Sequence, residues 1–270
     1  MPALPITFLS DYGYDDEFAG VCRSVVVRIA PDAQVIDLTH GIAPGDVRHG
    51  ALALANALPH APAGVHLAVV DPGVGTSRRA IAVRVGGERR ILVGPDNGLL
   101  WPAIERLGGS LEAVDLSASP FAAQTVSASF HGRDLFAPVA ARLALGARLE
   151  EAGEPLDAGS LARVSIPRPI VAADHLVAHV LYLDRFGNVA LDARRADLNR
   201  IGIAPGAQLA LELGERRVEA GYVTTFAEVG PGEALLYEDS SERLAIAINR
   251  GDAAEELALA VDDRVVIRSG

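Results

Sequence analysis

In the first half of the chain, short apolar runs alternate with segments in which apolar residues recur at helical spacing. Apolar residues repeat in this way from Phe18 to Ile29 and from Asp46 to Leu58, and again over Asn97–Leu107 and Asp134–Leu145. The intervening strand-like runs read PITFLSDYG, AQVIDLTH, GVHLAVVD, AIAVRV, RRILVGP and EAVDL. Strands separated by helices usually pair in parallel and are covered on both faces. The pattern therefore predicts an α/β domain with a mostly parallel sheet flanked by helices.

The pattern changes after a segment, Gly153 to Pro169, whose Pro, Gly and polar residues are typical of a linker. Beyond it, short strand-like runs such as HLVAHVLYL, AQLALEL and ERLAIAIN follow one another with turns between them. Closely spaced strands of this kind predict a smaller all-β barrel. We predict an α/β domain at 1–160, a β-barrel domain at 170–270 and a linker at about 153–169.

Composition excludes several classes of function. All 24 basic residues are arginine, which excludes the P-loop, Schiff-base, pyridoxal-phosphate and serine–lysine sites that need a lysine amine. The net charge of −11 argues against a nucleic-acid partner, and the single cysteine excludes an internal disulfide or a cysteine zinc site. No apolar run reaches the roughly 18 residues of a membrane span. The start of the chain lacks the basic region of a signal peptide, so we expect a cytoplasmic protein without a membrane partner.

Chemistry-bearing side chains follow two of the predicted strands. Asp11 comes after ITFLS and Asp71 after HLAVV, and ligands of open α/β sheets bind at the carboxyl ends of the strands. The small-residue loop PGVGTS then leads to Arg78 and Arg79, and its glycines allow the backbone to approach a ligand closely. Aspartate is also common in ordinary turns, and one arginine of such a pair usually faces solvent. Position alone leaves both interpretations open.

A third candidate is His131 in the segment SFHGRDLFAP. Asp134 follows it as a plausible N-cap of the next helix, which needs no functional explanation. A histidine directly upstream of such a cap would lie in a loop at the same edge of the sheet. Among the seven histidines, His131 is therefore the strongest candidate for chemistry.

In the β-rich half, Asp184, Phe186 and Asn188 alternate in the segment YLDRFGNVALD. In a strand they would share one face, and an acid, a ring and an amide there would suit a ribose or an adenine. The alternative is a hairpin, because Asp, Gly and Asn are also turn residues. His175 and His179 share a strand face without a third ligand, so we interpret them as surface residues and predict no metal site.

Assembled in order, these segments resemble the S-adenosylmethionine (SAM) hydroxide adenosyltransferase family, the hydrolase relatives of the fluorinase and chlorinase. The resemblance covers nearly the whole chain and rests on LSDYGYDDEFAG, PGDVRHGA, VVDPGVGTSRR, GPDNGLL, SFHGRDLFAP, DRFGNV and LLYEDSSERLAIAIN. It implies an α/β domain joined to a β-barrel. It also implies a homotrimer that holds the nucleoside between the α/β domain of one subunit and the barrel of a neighbour.

The resemblance also assigns residues. The family's Asp-Arg-His triad corresponds to Asp71, Arg78 and His131, and its ribose-binding acid corresponds to Asp11. The halogenating relatives lack this triad and have an aromatic residue in place of Asp71. The fluorinase also has a tryptophan in the stretch that contains Gly45 here. The family's nucleoside and methionine contacts in the barrel correspond to Asp184, Phe186, Asn188, Ser240 and Asn249.

The resemblance implies hydrolysis of SAM to adenosine and L-methionine, with SAM as substrate and no cofactor or metal. We hypothesise that His131 accepts the proton of the attacking water, while Arg78 holds the nascent hydroxide and Asp71 orients the water. The roles of Asp71 and His131 could be exchanged. The alternatives are a SAM-dependent halogenase, a protein that binds adenosyl compounds without turnover, and a metal-dependent phosphohydrolase, which would need more clustered ligands than the sequence offers.

Overall fold

The computed structural model describes residues 2–86 and 89–270 of the chain. The chain divides into two compact units, Met1–Ser165 and Ile166–Gly270. No helix among the described residues is long and apolar enough to cross a membrane.

The first unit is an α/β layer structure. Its described residues form the strands β1 (Ile6–Ser10), β2 (Val35–Thr39), β3 (Val65–Val69), β4 (Ala80–Val85), β5 (Arg90–Pro95), β6 (Ser110–Asp115) and β7 (Glu154–Leu156). Its helices are α1 (Phe18–Ile29), α2 (Val47–Ala57), α3 (Trp101–Arg106) and α4 (Ala137–Ala144), with short 3₁₀ turns at Leu58–His60, Leu149–Glu151 and Ala158–Ser160. A π-helical turn, Gly132–Phe136, leads directly into α4.

The strands form one mixed sheet in the order β2-β1-β3-β5-β4-β6-β7. Strands β2, β1, β3 and β5 pair in parallel, whereas β4 is antiparallel to both β5 and β6, and β7 is antiparallel to β6. The predicted fold class is confirmed, and the parallel part of the sheet carries the two aspartates. Only four residues separate Val85 from Arg90, too few for the crossover that a parallel connection needs, so β4 and β5 form a hairpin.

Apolar side chains cover both faces of this sheet. On one face, strand residues such as Phe8 and Leu67 pack with Cys22 of α1 and Val139 of α4. On the other face, α2 and α3 pack on the sheet through a second cluster that contains Leu54. Helix α3 starts at Trp101 rather than Asn97 because the Asn97 side chain bonds to the Val70 carbonyl (2.8 Å) and to the Leu99 N–H (3.1 Å).

The second unit is a closed β-barrel, as predicted. Its strands are β8 (Ile170–Val171), β9 (His175–Leu183), β10 (Val189–Leu191), β11 (Gln208–Leu213), β12 (Arg216–Tyr222), β13 (Ala234–Glu238), β14 (Leu244–Ile248) and β15 (Arg264–Ser269). Its helices are α5 (Arg195–Arg200) and α6 (Ala253–Leu257), with a 3₁₀ turn at Phe226–Glu228. In this unit, all of whose residues are described, seven strands close in the order β10-β14-β13-β12-β11-β15-β9. The β9–β10 pairing completes the ring, and β8 extends it at β9.

Candidate active site

The loop after β3 positions Asp71 and Arg78 at the carboxyl edge of the parallel strands. Its backbone makes two successive turns, in which Val74 N–H bonds to the Asp71 carbonyl (3.2 Å) and Thr76 N–H to that of Gly73 (3.1 Å). Gly75 has a φ of +77°, and a Cβ on it would lie 2.5 Å from the carbonyl oxygen of Ala128. The loop therefore needs glycine here to pack against the segment that leads to His131.

Asp71 and Arg78 form a nearly buried ion pair, with side chains only 6% and 10% exposed. Arg78 Nε donates to both carboxylate oxygens, at 2.9 and 3.0 Å, and Nη2 also contacts Oδ2. The Phe136 ring lies 5.3 Å from the guanidinium carbon and covers one side of it. This two-pronged contact holds the guanidinium in one orientation.

His131 completes the constellation from a distant part of the chain. Its Nδ1 lies 2.9 Å from Arg78 Nη2, although 53 positions separate the two residues. His131 stands at the start of the π-helical turn. The structure thus brings together all three members of the triad that the sequence resemblance implies.

The Arg78–His131 contact determines which imidazole nitrogen carries the proton. A guanidinium has only donors, so His131 Nδ1 must accept and the proton of the neutral ring must lie on Nε2. Burial lowers the pKa of His131, and the neighbouring Arg78 cation lowers it further. Both effects keep the imidazole neutral, with an N–H donor on the side away from Arg78.

Asp134 does not cap a helix, contrary to the sequence interpretation. It lies within the π-helical turn, where its carboxylate accepts from Arg133 Nε at 2.6 Å and Nη2 at 2.8 Å. It also accepts the Ser127 N–H at 2.9 Å, which ties the preceding loop to the turn. The turn starts upstream of Asp134, so the acid holds the loop instead of starting the helix.

Asp11 lies beside this group, at the end of β1. The Gly45 N–H donates to its Oδ2 at 2.8 Å. Burial raises the pKa of Asp11, and the charge of Asp71 also raises it, while the Gly45 N–H opposes the shift. Gly45 has a φ of +75° and holds the acid through its backbone N–H.

A cavity of about 390 Å³ opens between these residues. Its lining consists of Asp11, Tyr12, Asp16, Phe18, Pro44, Val69, Asp71, Val74, Ser129, His131 and Gly132. Sequence reasoning missed Tyr12, whose only signal was its place directly after Asp11. It also missed the backbone role of Gly45, for which side-chain chemistry gives no signal.

Arg79 has a different environment from its neighbour. Its Nε donates to Asp96 at 2.8 Å, and its guanidinium also contacts the hydroxyl of Ser160 (3.1 Å) and its carbonyl (2.7 Å). These bonds tie the loop after β3 to the turn after β5 and to the Ala158–Ser160 turn. Arg79 is therefore a structural residue.

In the second unit, Asp184, Phe186 and Asn188 do not alternate along a strand, and the hairpin alternative is correct. They lie in the loop between β9 and β10, where Asp184 N–H bonds to the Asn188 carbonyl at 3.0 Å. Asp184 Oδ1 accepts the N–H groups of Phe186 (2.8 Å) and Asn188 (3.0 Å), and Oδ2 accepts Asn188 Nδ2 at 2.8 Å. The Phe186 side chain is 71% exposed.

The other two barrel candidates also lie in loops. Ser240 is exposed in the turn between β13 and β14. Asn249 follows β14, and its Nδ2 donates to the carbonyl of Val229 at 2.8 Å. Asn249 therefore fixes the chain upstream of β13.

His175 and His179 each contact a neighbouring aspartate. His175 contacts Asp174 at 2.7 Å and His179 contacts Asp192 at 2.9 Å. Within the described ranges, no group of three or more His, Cys, Asp or Glu side chains has the arrangement of a metal site.

Comparison with known proteins identifies similarity over both units. Residues 6–153 match the SAM hydroxide adenosyltransferase N-terminal domain, and residues 178–266 match the corresponding C-terminal domain. A Salinispora tropica protein named (R)-S-adenosyl-L-methionine hydrolase is 48% identical, with 98% of each chain covered. A Nocardia brasiliensis fluorinase is 31% identical, with 98% of this chain and 97% of that protein covered.

A solved structure is also similar over nearly the whole chain. It is that of an uncharacterised conserved protein from Thermotoga maritima, with a TM-score of 0.90 and 34% identity. The similarity covers 97% of this chain and 99% of the other.

Proposed function

The chain belongs to the SAM hydroxide adenosyltransferase family, and we propose that it hydrolyses S-adenosyl-L-methionine to adenosine and L-methionine. The observation that carries this proposal is the contact of Asp71, Arg78 and His131 at one edge of a cavity that Asp11 also lines. The Salinispora tropica protein with the hydrolase name is 48% identical and the Nocardia brasiliensis fluorinase 31% identical, which supports water rather than halide as the nucleophile.

The reaction needs a positioned nucleophile more than an acid or a metal. A water oxygen attacks C5′, the C5′–S bond breaks, and its electron pair leaves with sulfur as a neutral thioether. Because the sulfonium already carries the positive charge, the leaving group needs no proton. Water is a very weak acid, so catalysis must place the oxygen in line and provide an acceptor for its proton.

The geometry favours Asp71 as that acceptor, the exchange of roles that the sequence hypothesis left open. The Nδ1 lone pair of His131 is engaged by Arg78, and Nε2 of the neutral ring carries a hydrogen. His131 can therefore donate to the water but has no free lone pair for its proton. As the new O–C5′ bond forms, the oxygen becomes strongly acidic, and a carboxylate is then a sufficient base.

Arg78 contacts both Asp71 and His131 in this arrangement. It neutralises Asp71 in the ground state and fixes the direction of both the carboxylate and the imidazole. When the proton reaches Asp71, the carboxyl group becomes neutral, and Arg78 still holds it and His131 in place through hydrogen bonds. The guanidinium is suited to this because it donates from several fixed directions at once.

Asp11 would bind the ribose 2′- and 3′-hydroxyls. The Gly45 N–H fixes the orientation of its carboxylate, and two adjacent hydroxyls can donate to a carboxylate from one side. Asp184, Phe186, Asn188, Ser240 and Asn249 would contribute nucleoside and methionine contacts from the barrel of a neighbouring subunit in a homotrimer. We place the enzyme in the cytoplasm and assign it no cofactor.

The deciding experiment incubates purified protein with SAM in ¹⁸O-labelled water, with and without chloride or fluoride. We expect adenosine with label in its 5′-hydroxyl and an equal amount of methionine, unchanged by halide or by a chelator. Intact SAM after prolonged incubation would indicate a binding protein. A 5′-halo-5′-deoxyadenosine product would indicate a halogenase, and a loss of activity in chelator would indicate a metal enzyme.

A further inference from the structure

Tyr12 lines the cavity, and its phenol ring packs against three phenylalanine rings. Its ring meets those of Phe8, Phe18 and Phe130 at centroid distances of 6.4, 6.1 and 5.8 Å, the first and last in edge-on contact. These contacts fix the ring without any hydrogen bond to its oxygen. Of these four rings, only Tyr12 carries a polar atom.

The hydroxyl of Tyr12 lies directly over Gly132, the residue after His131. A Cβ on Gly132 would be 2.1 Å from Tyr12 Oη and 3.0 Å from Cζ. The oxygen thus occupies the space of a side chain at the start of the turn that carries His131. Both Tyr12 and Gly132 line the cavity with Asp71 and His131.

The Tyr12 hydroxyl has no hydrogen-bond partner among the described residues, whereas the Tyr12 backbone N–H donates to Ser10 Oγ at 3.2 Å. Tyr12 is half-buried, and a phenol hydroxyl in such a position normally has a hydrogen-bond partner, so this oxygen is available to a molecule in the cavity. Burial raises the pKa of Tyr12, as do the nearby Cys22 thiol and the charges of Asp11 and Asp71. The oxygen is therefore a neutral phenol that can accept a hydrogen bond.

We propose that Tyr12 is a further catalytic residue, whose hydroxyl oxygen accepts a hydrogen bond from the attacking water. This inference rests on the proposed function. An attacking water has two hydrogens and two lone pairs, and one lone pair must remain free to reach C5′. Asp71 takes one hydrogen, His131 Nε2–H occupies one lone pair, and the second hydrogen is left for Tyr12.

This arrangement accounts for every bond of the nucleophile. The oxygen forms its bond to C5′, the C5′–S electron pair moves to sulfur, and the proton directed at Asp71 transfers. The hydrogen directed at Tyr12 stays on oxygen and becomes the hydrogen of the 5′-hydroxyl of adenosine. With only two of the three contacts, the water would rotate and present its lone pair to C5′ less often.

The first test removes the oxygen alone, in Tyr12→Phe. We expect kcat to fall about tenfold, as for the loss of one hydrogen bond to the reacting group, with KM changed less than about twofold. The matched control is Tyr14→Phe, which removes the same atom from a side chain that is 69% exposed and does not line the cavity. An unchanged kcat in Tyr12→Phe, or a raised KM at unchanged kcat, would overturn the proposal.

A second test checks the placement of the hydroxyl without an activity readout. Gly132→Ala inserts a methyl group where Tyr12 Oη lies and should lower Tm, whereas Tyr12→Phe/Gly132→Ala should regain part of that loss. Strictly additive changes in Tm would show that the hydroxyl does not lie over Gly132. If wild-type protein and Tyr14→Phe both fail to release adenosine, the proposed function fails instead.

Discussion

The loop after β3 and the β9–β10 hairpin contain similar residue types but use their polar side chains in opposite ways. In the hairpin, Asp184 binds Phe186 and Asn188, within four positions of itself. In the loop after β3, Arg78 joins Asp71 to His131, which lies 53 positions away. One segment satisfies its polar groups locally, and the other brings distant parts of the chain to a cavity.

Residue types alone therefore do not distinguish an ordinary turn from a proposed reaction centre. Both segments combine Asp, Gly and a basic residue after a buried strand. What differs is the position of the strand end, because the parallel strands β1 and β3 place Asp11 and Asp71 at one edge, with Leu9 paired to Ala68. Two adjacent side chains also differ, since Arg78 contacts Asp71 and His131 whereas Arg79 binds Asp96 and Ser160.

The largest expected effect is that of Asp71→Asn. We expect kcat to fall by about a thousandfold or more because the amide cannot take the proton of the attacking water. The control is Asp96→Asn, which removes the acid that pairs with Arg79 and should lower Tm while leaving kcat within about twofold. Steady-state adenosine release measures both variants, and Asp71→Asn with more than a tenth of wild-type kcat would contradict the assignment.

A smaller effect is expected from Arg78→Lys, about a hundredfold in kcat, because one ammonium cannot hold the carboxylate and His131 Nδ1 together. Arg79→Lys, the same substitution one position on, should change only stability, by about 1 kcal/mol. Kinetics combined with denaturant unfolding would separate the two. Equal kinetic losses in both variants would remove the distinction between the two arginines.

In the hairpin, Asp184→Ala should lower the free energy of unfolding by about 2 kcal/mol, because three donors lose their acceptor. Asp184→Asn keeps one oxygen for the two backbone N–H groups and should lower the free energy of unfolding by about half as much. Denaturant unfolding followed by circular dichroism measures both losses. If neither variant is destabilised, the local-turn interpretation of Asp184 is wrong.

The smallest effect concerns pH. Protonation of His131 would break its contact with Arg78 and place two cations next to each other. Because the pKa of His131 is lowered, the acid limb of the kcat/KM profile should lie at a lower pH than for an ordinary histidine. Activity should be retained as the pH falls to 6.5, the ordinary pKa of a histidine side chain, and be lost only below it. A pH–rate profile with an acid-limb midpoint at or above 6.5 would contradict the neutral, Arg78-bound imidazole.

Much of the fold was predictable from local patterns. Helix α1 follows the periodic apolar residues from Phe18 to Ile29, and the closely spaced strands after residue 170 form the barrel. The antiparallel β4–β5 pairing was not predicted, although its four-residue connection is visible in the sequence. Alternation of apolar and polar residues predicts a strand, but it does not show whether the neighbouring strand runs parallel or antiparallel to it.

For the site, the sequence by itself predicted the candidates Asp11, Asp71, Arg78 and His131, the triad among them through the family resemblance, and each lies in a loop after a strand or before a helix. Only the tertiary structure decided how they are used. It directs Arg78 to His131 Nδ1, gives Arg79 a structural partner and places the Tyr12 hydroxyl over Gly132. Local periodicity reflects contacts within a few residues, whereas hydrogen-bond direction and cavity lining depend on atoms that folding brings together across dozens of positions.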